Sequence, residues 1–397
     1  MRYLLLTALI LAGCAGDEVE PVTPPTVTLD EAALDAAAAA TNGFALDLLR
    51  EADGENVHLS PVSIAAAFGM ASEGARGETR TQMLDVLGLS DAPDNASAGL
   101  AALAQSSEGF ELTVANAGWV ADGFPIEPGY VEDVRARFGA GFEVVDFTDP
   151  PAAADRINRW IAANTADRIE NLISPDMIKP ELTKLMLTNA VYFKADWEQP
   201  FENASTNDRP FQTPAGEVRA PRMHQEARFG YATLDGFAAL QLDYVGGASM
   251  LVLLPDEGGS VDALLGEMDS DALAEVDAGL NPTTVLVGLP KFETRVRTEL
   301  IELMETLGMT LPFTDAADFG GITTSEPLLI GAALHEVFIR VDEKGTEAAA
   351  ATALGMEVAS APMEPPPSFI VDRPFVYLIR SADGVILFAG KVSDPLE

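Results

Sequence analysis

The sequence predicts an α+β fold built around a large mixed or antiparallel sheet. Helical spacing of apolar residues prevails early in the chain, while alternating or continuous apolar runs crowd its later part. A third observation is the closing pair FVYLIR and VILFAGKV, joined by SADG at 381–384, which has the form of a β-hairpin. The 397 residues suffice for a large core. With no internal repeat, and no second low-complexity linker before the Pro-rich stretch near 362, residues 30–397 read as one domain.

Taken in order, 30–52 reads as a helix with Phe44, Leu48 and Leu49 on one face, and 60–75 as a second, opened by Ser60 with Pro61 in its first turn. A third helix fits 154–173, where Ile157, Trp160 and Ile161 form a stripe. A fourth fits 297–308, with Leu300, Leu303, Met304 and Leu307 in register and Gly308 as terminator. Strands are expected at 110–120, 185–193, 248–255, 283–292 and 333–341, ahead of the closing hairpin.

Lys and Arg number 24 against 62 Asp and Glu, a formal charge of −38 spread along the chain, which repels phosphate backbones and argues against nucleic acid as a partner. Solubility accounts for such a surface, and salty surroundings would suit it. The single cysteine, Cys14, rules out a disulfide framework and a cysteine-based metal site. Arg2 precedes an apolar run, 3–11, too short to span a bilayer, and the run closes in Leu11, Ala12, Gly13 and Cys14. This resembles a bacterial lipoprotein signal, which implies removal of residues 1–13 and lipid on Cys14; an ordinary secretory signal cut nearby is the alternative. Residues 14–29, acidic and Pro-containing, then form a tether. The expected location is beyond the inner membrane, anchored at the outer membrane or cell surface or in the periplasm, with Ala15 favouring the outer membrane.

Enzyme motifs are absent. His58, His224 and His335 lie far apart, His335-Glu336 lacks the second histidine of a zinc helix, and no GxSxG occurs. The GVILFAGK stretch at 384–391 has the wrong glycine spacing for a phosphate loop, and Val392 stands where Ser or Thr is needed. No metal, cofactor or catalytic residue is expected.

The most informative stretch is EKGTEAAAATAL, 343–354. As a strand it turns Thr346, Ala348, Ala350 and Thr352, all small, to one face, which could slide between two existing strands. As a helix it would be Ala-rich and capped by Thr346.

Separate blocks in the right order carry a resemblance to the serpins. They are NVHLSPVSIAAAFGMASEGARGETRTQML (56–84), TNAVYFKADWEQPF (188–201), LPKFE (289–293), HEVFIRVDEKGTEAAAAT (335–352) and DRPFVYLIRSADGVILFAGKVSDP (372–395). The resemblance implies three β-sheets, about nine helices and an exposed reactive-centre loop offered to a serine protease as bait. In that family the cut loop inserts into the main sheet while the protease is held as an acyl-enzyme, so the partner is a protease in covalent complex with a monomeric inhibitor. An added strand of a dozen residues brings on the order of ten backbone hydrogen bonds at ~1 kcal/mol each. That rivals the stability of an ordinary domain, ~5–15 kcal/mol, so the uncut fold would be metastable.

By the same resemblance Glu343, Gly345, Thr346, Glu347, Ala348, Ala349, Ala350, Ala351 and Thr352 form the hinge, with Gly345 as pivot. Nothing bulky or Pro occupies its inward positions, which favours inhibition over the alternative of a non-inhibitory binding module cut as a plain substrate. Ser60, Ser63, Asn189 and His335 match the cluster that controls sheet opening, and Trp197 the point of loop entry. For Ser60 the residues alone suggest an N-cap, and for His335 a satisfied core histidine. The common loop length places the scissile bond at Ala359-Ser360, with Met356, Val358 or Met363 as alternatives because of the long segment with Pro362, Pro365, Pro366 and Pro367. Ala359 suits a shallow elastase- or subtilisin-type pocket. The region matching the heparin-binding helix of some serpins, 91–107, has no Lys or Arg, so heparin activation is not expected.

Overall fold

The computed structural model describes residues 29–92, 95–103, 110–138, 141–180, 182–346 and 365–397. Among them are nine α-helices and fifteen strands. Asp30 caps the first helix, Glu31–Glu51, by accepting the Ala33 amide at 2.8 Å. The second, Pro61–Gly74, is buried at every residue but Glu73; its run of Ala65, Ala66 and Ala67 lets strands and helices close on all sides. A Cβ added at Gly74 would lie 2.2 Å from Ile322, so this end of the helix tolerates only glycine.

One sheet has the order Phe292–Glu299, Ala333–Asp342, Gly345–Thr346, Leu185–Asp196, Phe110–Ala121, Gly141–Val145. Its central strands Leu185–Asp196 and Ala333–Asp342 are covered on both faces, as their nearly unbroken burial requires, while the edge strand Phe292–Glu299 alternates buried and exposed residues. One face packs Val191, Phe193, Val337 and Ile339 against the second sheet. The other packs Met186, Ala190 and Leu334 beneath Trp160, Ile169 and Leu172.

The second sheet runs Val57–Leu59, Ile386–Val392, Phe375–Arg380, Ser249–Pro255, Phe237–Asp243, Gly216–Leu234, Asn281–Pro290, Ser368–Ile370, with Asn207–Thr213 also paired to Gly216–Leu234. Two of the three expected sheets are here joined in one ladder. Gly216–Leu234 is 19 residues long and pairs first with Asn207–Thr213 and Asn281–Pro290, then with Phe237–Asp243.

The closing hairpin and the strands at 110, 185, 249 and 333 lie where the sequence places them. Two helix expectations need correction. The helix expected at 154–173 is Pro150–Ala163: it begins on two prolines capped by Asp149 and stops where Asn164 bonds back to Trp160, after which Ala166 and Asp167 take positive φ. The helix expected at 297–308 begins at Leu300, because residues to Glu299 continue the strand from Phe292 and pair with Leu334–Val341. The strand expected at 283–292 is divided, Asn281–Pro290 belonging to one sheet and Phe292–Glu299 to the other.

Candidate functional site

The site is the seam between Leu185–Asp196 and Ala333–Asp342. Their lower halves pair directly and in parallel, from Ala333 with Leu187 to Phe338 with Tyr192. At the upper end the hinge enters between them: Gly345 and Thr346 pair antiparallel with Asp342 and Val341 on one side and with Asp196 and Ala195 on the other. Of the hinge, Glu343 lies in a turn, while Gly345 and Thr346 are strand. Gly345 passes so close that a Cβ would sit 2.1 Å from the Ala195 carbonyl oxygen.

Trp197 holds the entry. Its indole N–H donates to the Asp342 carbonyl at 2.9 Å, its amide to the Lys344 carbonyl at 2.7 Å, and its ring stacks on Tyr244 with centroids 4.2 Å apart. The Tyr244 hydroxyl in turn meets that of Thr346 at 2.7 Å. Beside them the Glu343 carboxylate accepts from Lys291 Nζ and from the Thr206 hydroxyl, both at 2.8 Å. Burial alone would raise the Glu343 pKa, but these bonds and its own backbone amide outweigh it and hold the carboxyl below its usual range.

About 26 Å down the same strand lies a separate polar cluster. Asn189 Nδ2 donates to Ser63 Oγ and Asn116 Oδ1, while Asn189 Oδ1 accepts from His335 Nδ1. His335 Nε2 accepts the Ser60 amide at 3.0 Å, and Ser60 Oγ donates to the Leu387 carbonyl at 2.8 Å. An amide can only donate, so Nε2 must be the acceptor and Nδ1 must carry the proton. This neutral tautomer agrees with burial, which pushes the His335 pKa down to about 3. His58, also fully buried, is pushed down to about 3 by burial, with Nδ1 2.8 Å from the Tyr377 hydroxyl.

The structure thus brings Ser60, Ser63, Asn189 and His335 together but sets Trp197 apart, at the entry. Ser60 occupies the N-cap position without capping, since its hydroxyl is turned to Leu387. Sequence reading missed Asn116, Tyr244, Thr206 and Lys291. Asn116 left a trace as the polar residue inside an apolar strand, and Lys291 stood within the quoted LPKFE; Tyr244 and Thr206 gave no signal. Glu347, Ala348, Ala349, Ala350, Ala351, Thr352, Ala359 and Ser360, and Cys14 with the signal and tether, lie outside the described residues. Among the described residues no group of three or more His, Cys, Asp and Glu could hold a metal ion, and no helix is long and apolar enough to cross a membrane.

A hinge strand started between two parallel neighbours, above a hydrogen-bonded clasp on the same pair of strands, defines a serpin architecture. A family model described as serpin (serine protease inhibitor) matches residues 39–395, and the chain belongs to the serpin family. An uncharacterised serpin-like protein of Thermococcus kodakarensis is 38% identical over 90% of this chain and 85% of its own length. Human glia-derived nexin is 34% identical over 86% and 88%. Among solved structures, the thermophilic serpin tengpin in its native state superposes with a TM-score of 0.82 at 27% identity, covering 95% of this chain and 97% of that one. Members of this family are mostly protease inhibitors rather than enzymes.

Proposed function

We propose that this chain inhibits serine proteases as a suicide substrate, its cut loop inserting into the seam while the protease is held as an acyl-enzyme. The observation that supports this best is the register of the hinge. Continued downward from Gly345–Thr346, it would set Ala348 between Ile339 and Phe193, Ala350 between Val337 and Val191, and Thr352 between His335 and Asn189. These flanking residues are all buried, so only small side chains could enter without overpacking. The strands the loop would part already face each other at the same levels, Val337 with Val191 and His335 with Asn189. Insertion would exchange a parallel pairing for two antiparallel ones.

Ala359-Ser360 is the scissile bond in this reading, aimed at elastase- or subtilisin-like enzymes. Cys14 carries the lipid that anchors residues 30–397 through the 14–29 tether, outside the inner membrane. The chain acts as a monomer without heparin. Incubation with a panel of serine proteases tests the mechanism: an SDS-resistant adduct of higher mass supports it, and cleavage without an adduct refutes it in favour of a plain substrate.

A further inference from the structure

Outside the seam, a cavity of about 420 Å³ lies between the turn at Leu234–Phe237 and the helices Val261–Glu267 and Ser270–Gly279. That size is in the range of small-molecule sites. Its walls are apolar, formed by Leu234, Phe237, Leu264, Met268 and Ala272, while Asp235, Glu267 and Glu275 stand around it. No Lys, Arg or His lines it.

The three carboxylates are exposed, and none has an ion pair or hydrogen bond among the described residues. The nearby cations are committed elsewhere. Arg50 is bound to Asp47 and to the Leu265 and Met268 carbonyls, Arg373 to Asp372 and to the Pro255 carbonyl, and Arg380 to Asp277 and Gln241. The polar groups that begin the two helices are likewise taken, Ser260 by the Ala263 amide at 3.1 Å and Asp269 by the Ala272 amide at 2.8 Å. What remains is an apolar floor beneath three carboxylates with no ion-pair partner of their own among the described residues.

We propose that this cavity binds a small amphiphilic cation, an alkyl or aryl group on the floor with an ammonium among Asp235, Glu267 and Glu275. The apolar part contributes affinity by leaving water, and the charges select its sign. Because the carboxylates are exposed, that selection is screened by salt. None of its lining residues belongs to the seam, so its occupancy is independent of the inhibitory reading.

Isothermal titration of the full chain at pH 7 and low salt with n-octylammonium, 1-octanol and octanoate tests this. The ammonium should bind about tenfold or more tightly than the alcohol, and octanoate more weakly than either. The preference should shrink several-fold in 0.5 M NaCl. Ala263→Trp, at an exposed lining position, should abolish binding of all three. The double variant Glu267→Gln, Glu275→Gln should remove most of the ammonium preference while keeping the alcohol. Equal affinity for ammonium and alcohol, absence of binding, or binding unaffected by Ala263→Trp overturns the proposal.

Discussion

The hydroxyls of Tyr244 and Thr346 meet at 2.7 Å in a fully buried pair, so the first inward hinge residue is tied to an aromatic ring that itself stacks on Trp197. Tyr244→Phe leaves the Thr346 hydroxyl buried without this partner, at a cost of about 1–3 kcal/mol. Urea unfolding should show that loss. Adding Thr346→Val should recover part of it, giving a coupling of about 1 kcal/mol in the double-mutant cycle. Additive losses would mean that the pair is not an interaction.

Acid should weaken the fold through His58 and His335. Both titrate near 6.5 in an unfolded chain and near 3 in the folded one, so the unfolded state binds more protons between those values. Stability from each is complete above about pH 6.5 and falls by up to about 1.4 kcal/mol per pH unit as pH drops toward 3. Because repulsion within the acidic surface is relieved over the same range, the informative quantity is a difference. His58→Phe, placed against Phe292 and Tyr377, should lose less stability than the native chain between pH 7 and 4.5. Parallel curves for the two proteins would refute this.

Ala350→Pro should turn an inhibitor into a substrate. Proline removes a ladder donor and is excluded from central strands, and residue 350 would fall between Val337 and Val191. Cleavage should proceed at an undiminished rate with no SDS-resistant adduct. Trapping by this variant at the native level would contradict insertion to that depth.

Cutting the loop near residue 359 should raise the melting temperature sharply, since the inserted strand adds hydrogen bonds that the uncut form lacks. Equal melting temperatures for cut and uncut protein would favour the binding-module alternative.

Ala359→Arg should shift trapping from elastase- and subtilisin-like enzymes toward trypsin, by supplying the cation an acidic pocket requires. Sequencing the released C-terminal fragment fixes the bond: a start at Ser360 agrees, and a start at Glu357, Ala359 or Glu364 moves the scissile residue to Met356, Val358 or Met363.

The strands at 110, 185, 249 and 333 were legible because burial on both faces demands nearly continuous apolar runs, as in Leu185–Phe193, whereas Gly216–Leu234, interrupted by exposed Arg219, Glu226 and Arg228, was not. Helices whose buried face is small or sparse were not: Gly77–Val86 buries only Thr79 and Met83, and Ala96–Leu103 is mostly Ala and Gly. Helix ends depended on local contacts that periodicity does not encode, as at Asn164. In the site, Ser60, Ser63, Asn189 and His335, expected from the family blocks, lie together. Tyr244 was not, because its role arises from Thr346, 102 residues away, and no spacing rule spans that distance.

His335 and Asn189, joined across the seam, are 146 residues apart in the chain. During synthesis, Leu185–Asp196 therefore gains Phe110–Ala121 as one neighbour early and waits for the other until most of the polypeptide has emerged. Until then its free edge, flanked by buried Val191, Tyr192 and Phe193, is a template for any extended segment within reach. At high local concentration, chains that have not completed folding are thus exposed to cross-pairing at this strand, and any delay in the arrival of Ala333–Asp342 would lengthen the interval.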